Sequence, residues 1–598
     1  MLSPPTEAFT LITTPDDIGR VVAAVEIAGG SVGVDCETTG LDPLTDQIRL
    51  VQVATGNNVF LIDVFALPNP PTDLAPLLKV LTAVEVVGHN LQFDVRFLAR
   101  LGYTPGRVFD TMLASRVLHA GVRGANNTRL AHGLEEVAAR ELGRVLDKTH
   151  QRADWSGLLT PTMLEYAVAD AAILLPLAEA LKRQLALANV TSTSEVEMRA
   201  LPGIAWAAPV AVDVNAWTAL AATAETEGAR LVKEMNNLFP NPTGLSSERN
   251  WNSPKQVKAA FASLNITLSG TDDDTLAVID HPLARLLRDY RRAAKRGGSY
   301  GQKWLDRHVR PDGRILPSWN QLGAESGRMS CSDPNLQQIP RGNEYRRCFV
   351  ARRGGVLLKA DYSQIELRIA AKVADEKVMI AAYREGQDLH TLTASRVLGK
   401  PESAVSKADR QLAKAINFGL LYGMGWRGLK EYARANYGIA LTDAQAKEYR
   451  EAFFRSYPGL RAWHRREGRR VEALFRAQPY GTFEVRTLGG RRRVLPVSKV
   501  RQNGDRYPNL TDALNTPVQG TGADALKGAI AQLWETRIEC LNAVPVLFCH
   551  DEIALEIPAE EMGVAADWLR RCMVGAAAEL IDPVKVEVEV TIATTWGG

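Results

Sequence analysis

The sequence predicts a multidomain fold of the α/β and α+β classes, and three observations carry this prediction. The chain has 598 residues, enough for several domains, and 46% of them are hydrophobic, which supports large buried cores. Apolar, strand-like runs end on acidic residues in the first third and again in the second half of the chain. Segments with the apolar spacing of helices separate these runs. A globular, soluble protein is therefore expected.

The first acidic strand lies close to the start of the chain. In the apolar run 32–36 the residues alternate, so that Asp35 and Glu37 project from one face of a strand. Asp94 follows the segment 88–93, and Tyr166 and Asp170 lie one helical turn apart. Four carboxylates and a tyrosine hydroxyl can hold two metal ions and direct a water at a phosphodiester. The alternative is a Rossmann-like domain with scattered surface acids.

Near the end of the chain, an apolar run leads into His550, Asp551 and Glu552, and a second apolar run follows. This pattern predicts a β-hairpin that holds two acids at its tip. Two carboxylates seldom make a magnesium site without substrate phosphates or a third acid. Asp361, which ends another strand-like run, is the best candidate for the third acid. Taken alone, acids at such a bend are usually a solvated turn.

Between these acids, two cations and two aromatic residues recur at every fourth position: Arg410, Lys414, Phe418 and Tyr422. On a helix these four residues lie close to one face. There the cations can bind phosphates, and an aromatic ring can contact base and sugar. Such a cationic pair more often lies on a solvent-exposed helix face that binds no ligand. Gly419 and Gly423 lie in the same stretch and weaken a helix, so they predict a close approach or a hinge.

Five segments of the second half resemble one known family, and three of them, Asp361 to Arg368, Arg410 to Gly423 and His550 to Glu552, stand in that family's sequence order. These three resemble motifs A, B and C of family A DNA polymerases, the DNA polymerase I family. Residues 327–340 and 515–520 resemble that family's contacts with the minor groove of the primer–template.

This resemblance implies two-metal phosphoryl transfer onto a primer end. It makes Asp361 and Asp551 the expected ligands of two magnesium ions, with Mn²⁺ as a substitute, while Glu552 assists nearby and Lys414 grips the triphosphate. The residues expected at the nucleotide are Arg410, Lys414, Phe418, Tyr422, Glu366, His390 and Gln364. Those expected at the DNA are Arg328, Asn335, Gln337, Asn515, Gln519 and His550. Glu366 is expected to exclude a 2′ hydroxyl, and Phe418 to disfavour dideoxynucleotides.

The first third of the chain resembles motifs I, II and III of the DEDDy 3′–5′ exonucleases, including the proofreading domain of DNA polymerase I. The resemblance makes Asp35, Glu37, Asp94 and Asp170 the expected ligands of two further magnesium ions and Tyr166 a catalytic residue. All five residues match, so active proofreading is predicted. Because the chain begins almost directly on the first of these motifs, no 5′ nuclease domain is expected in it.

The implied architecture is an RNase H-like 3′–5′ exonuclease domain followed by a right-hand polymerase, whose palm is divided into two segments by the fingers. The expected ranges are 1–185 for the exonuclease, 186–310 for the thumb, 311–405 for the first palm segment, 406–499 for the fingers and 500–598 for the second palm segment. One position departs from the family pattern, because Thr511 stands where an arginine is usual. The effect of this departure on DNA contact is left open.

Composition limits the partners and the compartment. The net charge is only +3, so a DNA-binding surface has to be formed by local basic clusters. Six cysteines without CxxC spacing argue against a zinc site or a disulfide framework and favour a reducing compartment. No membrane span or signal segment is expected, which makes the cytoplasm of a bacterium or of a phage-infected cell the default. The expected partners of a monomer are primer–template DNA and deoxynucleoside triphosphates, and an unidentified processivity factor stays open.

Three other functions compete with this interpretation. A single-subunit RNA polymerase shares the three polymerase motifs, but Glu366 and the attached nuclease motifs argue against it. A stand-alone exonuclease explains only the first third of the chain. A catalytically silent DNA-binding protein should have lost some of Asp361, Asp551, Asp35 or Glu37, and all four are present.

Overall fold

The computed structural model of the protein describes residues 9–56, 58–239, 249–340, 342–501 and 503–598. The amino-terminal third is built on a mixed six-stranded sheet, in the spatial order β1-β4-β3-β2-β5-β6. β1 and β4, β2 and β5, and β5 and β6 run parallel, whereas β3 is antiparallel to both of its neighbours. The strands are β1 (Phe9–Ile12), β2 (Ser31–Thr38), β3 (Ile48–Thr55), β4 (Asn58–Asp63), β5 (Glu85–Gly88) and β6 (Arg107–Asp110).

Helices cover both faces of this sheet. Val51 and Val53 of β3 belong to one hydrophobic core, and Leu50 and Ala54 belong to another, as the alternation of side chains along a strand requires. The helices of this third are α1 (Ile18–Ala28), α2 (Pro70–Asp73), α3 (Ala75–Ala83), α4 (Gln92–Ala99), α5 (Thr111–Leu118), α6 (Leu134–Leu142), α7 (Pro161–Ala172) and α8 (Leu174–Leu187). The predicted α/β architecture of the first third is confirmed.

A helical segment follows, interrupted by short strands. Its helices are α9 (Thr191–Ala205), α10 (Val214–Leu238), α11 (Pro254–Ala262), α12 (Asp273–Ala277), α13 (Pro282–Ser299), α14 (Gln302–His308) and α15 (Asn343–Arg346). Its strands are β7 (Val210–Val212), β8 (Arg314–Ile315), β9 (Ser318–Asn320), β10 (Ser330–Ser332) and β11 (Phe349–Val350).

α9 joins the amino-terminal third to the rest of the chain. Met198 and Leu201 belong to the core of the first sheet, while Ala200 and Ile204 belong to the largest core of the molecule. By contrast, α10 to α13 enclose a small core of their own around Met235, Trp251 and Phe261. The amphipathic α9 therefore packs on two bodies at once.

An antiparallel sheet in the order β17-β18-β12-β19 forms the centre of the second half. The strands of this half are β12 (Gly355–Tyr362), β13 (Thr482–Arg486), β14 (Arg492–Pro496), β15 (Ser498–Val500), β16 (Arg506–Pro508), β17 (Val544–Cys549), β18 (Glu552–Pro558) and β19 (Val588–Ala593). The predicted hairpin is confirmed, since β17 pairs antiparallel with β18.

Helices surround this central sheet. They are α16 (Ile365–Val373), α17 (Lys377–Arg384), α18 (Leu389–Leu398), α19 (Lys407–Leu421), α20 (Trp426–Tyr437), α21 (Asp443–Ser456), α22 (Pro458–Ala477), α23 (Leu510–Glu535) and α24 (Met562–Ile581). Helical fingers were expected over 406–499, but the end of that range is the β13–β14 hairpin. In the described ranges, no helix is both long and apolar enough to cross a membrane.

Candidate active sites

Two strand ends bring the predicted polymerase acids together. Asp361 lies at the end of β12, directly opposite Glu552 of β18, and Asp551 occupies the turn between β17 and β18. The backbone N–H of Tyr362 donates to the carbonyl of Asp551 at 3.4 Å, which ties the turn to β12. His550 adopts a left-handed conformation, φ 63°, and this lets the chain reverse tightly before Asp551.

The acids at these strand ends repel one another. Asp361 is exposed at the sheet surface, yet desolvation by the surrounding residues and the charge of Asp551 raise its pKa to about 7. Partial burial likewise raises the pKa of Asp551. Crowded carboxylate oxygens that resist ionisation suit a divalent cation, which would relieve the repulsion. The donor set therefore fits magnesium.

The protein alone does not form a complete metal cage here. Among the residues that the structure describes, no group of three or more His, Cys, Asp or Glu side chains is arranged to hold a metal ion. Substrate phosphates commonly supply the missing ligands of such magnesium sites. Glu552 is engaged elsewhere, because the indole N–H of Trp596 donates to its Oε1 at 2.6 Å.

A small cavity next to Asp551 gathers several other predicted residues. Its lining includes Arg328, Glu366, Gln519, His550 and Asp551. Glu366 accepts hydrogen bonds from Arg328 Nη2 and from the hydroxyl of Tyr422, each at 2.5 Å. One carboxylate of motif A thus contacts a predicted DNA-binding residue and a predicted nucleotide-binding residue.

The predicted nucleotide-binding helix is α19, which starts at a capping box formed by Ser406 and Asp409. Arg410, Lys414 and Phe418 lie along it, and Tyr422 is the residue at its C-terminal cap. Gly419 and Gly423 also lie at the end of this helix.

A Cβ on Gly419 would lie 3.1 Å from Leu429 of α20, so the glycine permits a close helix approach. Gly423 has φ +82° and forms the turn between α19 and α20. The predicted close approach is therefore present at Gly419, whereas Gly423 forms a turn.

Asp388 is a functional candidate that the sequence did not reveal. Its carboxylate accepts from Arg410 Nε at 2.6 Å and from Arg410 Nη2 at 3.2 Å. The same side chain caps the N-terminus of α18 and accepts from Gln364 Nε2 at 3.4 Å. The guanidinium expected at the triphosphate is therefore held by an acid, and no spacing rule relates the two residues.

His390 is buried, with 2% of its surface exposed. Its Nδ1 is hydrogen-bonded to Asn417 Nδ2 at 2.9 Å, and its ring lies 5.8 Å from that of Phe418. Burial lowers the pKa of His390 to about 4, so the imidazole is neutral at pH 7. Contact with pyrophosphate would require the residues that cover it to move.

The remaining predicted DNA-binding residues lie around the hairpin and on α23. Gln337 Nε2 donates to the carbonyl of Phe548 at 3.2 Å, and Asn335 caps the short turn before it. Asn515 and Gln519 lie four residues apart on α23, on one face. Thr511 is exposed in the first turn of the same helix.

A second acidic site lies in the first sheet. Asp35 and Glu37 lie two residues apart on β2 and project from the same face, while Asp170 and Tyr166 lie one turn apart on α7. Asp94 is buried in the first turn of α4. Asp110, another buried acid, caps the N-terminus of α5 and accepts from the N–H of Leu91, which fixes the start of α4.

Burial and mutual repulsion dominate this second site. The pKa of Asp35 rises to about 7 and that of Glu37 to about 10, in both cases mainly through burial and then through neighbouring carboxylates. Burial also raises the pKa of Asp94 and, with Asp170 nearby, that of the Tyr166 hydroxyl. As at the first site, these oxygen donors suit divalent cations, although the described side chains do not by themselves form a complete metal cage.

Lys148 is the second residue that the sequence did not reveal. Its Nζ lies 2.7 Å from Asp170 Oδ2 and 3.0 Å from Asp170 Oδ1, and 5.3 Å from the centre of the Tyr166 ring. It lies in a segment without helix or strand periodicity, so only the tertiary structure relates it to the acids. Its ammonium offsets some of the negative charge of the site.

Comparisons with known proteins bear on both sites. The family model described as DNA polymerase family A matches residues 219–598, and a model described as 3′-5′ exonuclease matches residues 9–186. DNA polymerase I of Aquifex aeolicus is 33% identical over 98% of this chain and 99% of that protein. DNA polymerase I of Pseudomonas aeruginosa is 31% identical over 94% of this chain, which spans 63% of that longer relative.

A solved structure agrees with these matches. The POL domain of Pol1 from M. smegmatis, in complex with DNA primer-template and dNTP, superimposes with a TM-score of 0.79. It is 26% identical in sequence, and the match covers 98% of this chain and 99% of that one. The chain therefore belongs to DNA polymerase family A and is a DNA-templated DNA polymerase with a 3′–5′ proofreading exonuclease.

Proposed function

We propose that Asp361 and Asp551 hold two magnesium ions at the polymerising site, with Mn²⁺ as a substitute, and that Glu552 assists from beside them. The observation that carries this proposal is the meeting of the two acids at neighbouring strand ends, where desolvation and neighbouring carboxylates raise the pKa of both. When bound, such ions supply a lowered pKa for the attacking hydroxyl or water and neutralise charge on the departing group.

The incoming deoxynucleoside triphosphate would lie against α19. Arg410 and Lys414 would pair with its phosphates, which requires Arg410 to exchange Asp388 for the triphosphate. Phe418 and Tyr422 would border the base, and Gln364 and His390 would complete the pocket. Glu366, held in place by Tyr422 and Arg328, would block a 2′ hydroxyl on the sugar.

Primer–template DNA is the proposed second substrate. Arg328 and Gln519 line the small cavity beside Asp551, where their donors would meet the minor-groove acceptors common to all correct base pairs. Asn335, Gln337, Asn515 and His550 lie on the neighbouring elements and would contact the same duplex. Contacts of this kind test the shape of a pair without reading its sequence.

The exonuclease reaction is proposed to use the acids of the first sheet. Asp35, Glu37, Asp94 and Asp170 would hold two further magnesium ions, and the Tyr166 hydroxyl would orient the attacking water. Lys148 would hold Asp170 in position. This arrangement removes a nucleotide from the 3′ end that the other site extends.

The proposed division of the chain assigns the exonuclease to 1–185, the thumb to 186–310, the palm to 311–405 and 500–598, and the fingers to 406–499. α10 to α13, with their separate core, support the thumb assignment. A monomer in the cytoplasm, where deoxynucleoside triphosphates and the chromosome occur together, is the proposed state, and a processivity factor is an open partner.

A primer-extension assay with magnesium and the four deoxynucleoside triphosphates tests the polymerase proposal. The intact chain should extend a recessed primer, and Asp551→Ala should not. Undiminished extension by Asp551→Ala would remove Asp551 from the reaction. The same variant tested without nucleotides should still shorten the primer, which controls for folding.

A further inference from the structure

Lys148 places a positive charge inside the cavity that holds the exonuclease acids. This exonuclease cavity has a volume of about 540 Å³, and its lining includes Asp35, Glu37, Tyr166, Asp170 and Lys148. The Nζ of Lys148 lies 2.7 Å from one carboxylate oxygen of Asp170 and 3.0 Å from the other. One ammonium therefore contacts both oxygens of a proposed metal ligand.

A local turn directs this side chain inward. Asp147 and Thr149, on either side of Lys148, are exposed, and Asp147 Oδ1 accepts from the backbone N–H of Thr149 at 2.9 Å. Residues 143–160 contain no helix or strand. The ammonium is carried on a flexible four-carbon stem. It can therefore leave its partner without any movement of a helix or a strand.

The charge of Lys148 acts on several acids of the cavity. Burial raises the pKa of Asp35, Glu37 and Asp170, and the nearby ammonium opposes that rise for each of them. Lys148 is thus a counter-ion for the whole acidic group. Its pair with Asp170 is largely buried, so removing the cation without a replacement would be unfavourable.

A divalent ion on Asp170 would compete with this ammonium. Magnesium lies about 2.1 Å from a carboxylate oxygen, so an ion bound there would lie no more than about 5 Å from the present position of Lys148 Nζ. Two cations at that separation inside a cavity repel each other strongly. Binding of the ion is therefore favoured when the ammonium moves away.

We propose that Lys148 is an exchangeable counter-cation of the exonuclease site, which pairs with Asp170 in the metal-free protein and releases this carboxylate when a divalent metal ion binds. The inference rests on the proposed metal ligands of the exonuclease and adds regulation of metal loading to the positioning of Asp170. Two consequences of opposite sign follow. The ammonium stabilises the protein without metal, and it lowers the affinity of the site for the metal.

Manganese binding to the DNA-free chain tests the exchange. Mn²⁺ alone is titrated into the metal-stripped protein, and the free ion is followed by electron paramagnetic resonance. Asp551→Ala serves as the parent, so that the polymerising site contributes less. Lys148→Met removes the charge and keeps the length of the side chain. We expect it to bind Mn²⁺ at least about fivefold more tightly than the parent, because no ammonium has to be displaced. Lys148→Gln should show the same gain.

Thermal unfolding in EDTA and in Mn²⁺ gives a second readout. Without metal, Lys148→Met should have a Tm at least about 2 °C below that of the parent, since buried carboxylates lose their counter-ion. Saturating Mn²⁺ should remove this difference.

Lys182→Met is the matched control for both measurements. It removes another lysine–carboxylate pair of the amino-terminal third, with Glu85, and lies outside the residues that line the cavity. It should bind Mn²⁺ as the parent does.

Equal or weaker Mn²⁺ binding by Lys148→Met would overturn the exchange, because the lysine would then hold Asp170 permanently. A Tm difference that persists in Mn²⁺ would overturn it too. Asp170→Asn, in the same parent, tests the proposed ligand separately and should bind Mn²⁺ more weakly. If Asp170→Asn loses affinity and Lys148→Met gains none, only the exchange is refuted. Unchanged affinity of Asp170→Asn would refute the ligand assignment as well.

Discussion

Glu366 accepts hydrogen bonds from Tyr422, a predicted nucleotide-binding residue, and from Arg328, a predicted DNA-binding residue. In its proposed role, removing the carboxylate would open space for a 2′ hydroxyl, and it would leave Tyr422 without that partner. We expect Glu366→Ala to raise the ratio of kcat/KM for ribonucleotides over deoxynucleotides by at least about tenfold, within the range that one hydroxyl can be discriminated. Single-nucleotide incorporation kinetics measure this ratio, and Glu366→Gln, which keeps the bulk, is the control. An unchanged ratio in Glu366→Ala would contradict the role.

Two buried histidines make stability depend on pH. Burial lowers the pKa of His390 and of His464 to about 4, whereas histidine in an unfolded chain titrates near 6.5. Between these values the unfolded state binds the proton and the folded state does not, so the free energy of unfolding falls as pH drops from 6.5 towards 4. Each such histidine contributes a slope of up to about 1.4 kcal/mol per pH unit.

Denaturant unfolding at pH 7 and at pH 5 measures this effect at His390. The loss of stability between the two pH values should be smaller in His390→Gln than in the unmodified chain. An identical loss in both proteins would mean that His390 does not titrate as its burial requires.

At the residue scale, the sequence could predict acids but not their partners. Asp361 and Asp551 were recognisable because each ends an apolar strand, a pattern that local physics determines. The pairing of Arg410 with Asp388, and of Lys148 with Asp170, depends on which loops meet in space. Nothing in the spacing of residues encodes that meeting.

At the element scale, the turn after α19 depends on Gly423. Its φ of +82° is unfavourable for a residue with a side chain, and a Cβ there would lie 2.9 Å from Leu514 Cδ1. We expect Gly423→Ala to lower the free energy of unfolding by about 1–2 kcal/mol. Gly298→Ala is the matched control, because that glycine lies in α13 with no atom within 4 Å of the added Cβ.

Thermal or denaturant unfolding distinguishes the two glycine variants. Gly298→Ala should be neutral or stabilising by up to about 1 kcal/mol, since alanine favours a helix. Equal stability of Gly423→Ala and the unmodified chain would show that the turn tolerates a side chain.

Element predictions succeeded where the periodicity was strong. The four-residue spacing from Arg410 to Phe418 lies on α19, with Tyr422 at its C-terminal cap, and the acidic hairpin is β17–β18. The β13–β14 hairpin was missed within a range expected to be helical. Its apolar residue Phe483 packs with Val471 of α22 and Ala513 of α23 in a small core of their own.

At the scale of the whole molecule, buried charges join α9 to α23. Glu197 is fully buried and accepts from Lys527 Nζ and Arg491 Nη2, each at 2.5 Å, and Arg491 also pairs with Asp524. Removing one charge leaves the others unpaired in the core. We expect Glu197→Gln to cost about 3–5 kcal/mol of the free energy of unfolding.

An exposed pair between the same two helices provides the control. Arg199 of α9 pairs with Glu535 of α23 at the surface, with about half of each side chain exposed. Glu535→Gln should cost no more than about 1 kcal/mol, because solvent screens such pairs. Equal costs for the two variants in denaturant unfolding would contradict the importance of the buried network.

The order of the domains was predictable from the order of the motifs, but their contact was not. Both families of motifs are local in sequence, and each indicates one domain. Residues of β9 and β10 line the exonuclease cavity, and this contact is a property of tertiary packing alone.

We propose that one chain carries two separate metal sites with opposite reactions. A gel assay tests this, in which a 3′-mismatched and a fully paired primer–template are each incubated with magnesium, with and without deoxynucleoside triphosphates, and with Asp551→Ala or Asp35→Ala. We predict that Asp551→Ala shortens the primer but never extends it, while Asp35→Ala leaves it unshortened and still extends a paired primer. Loss of both reactions in either variant, or of neither, would show that the two reactions do not use separate sites.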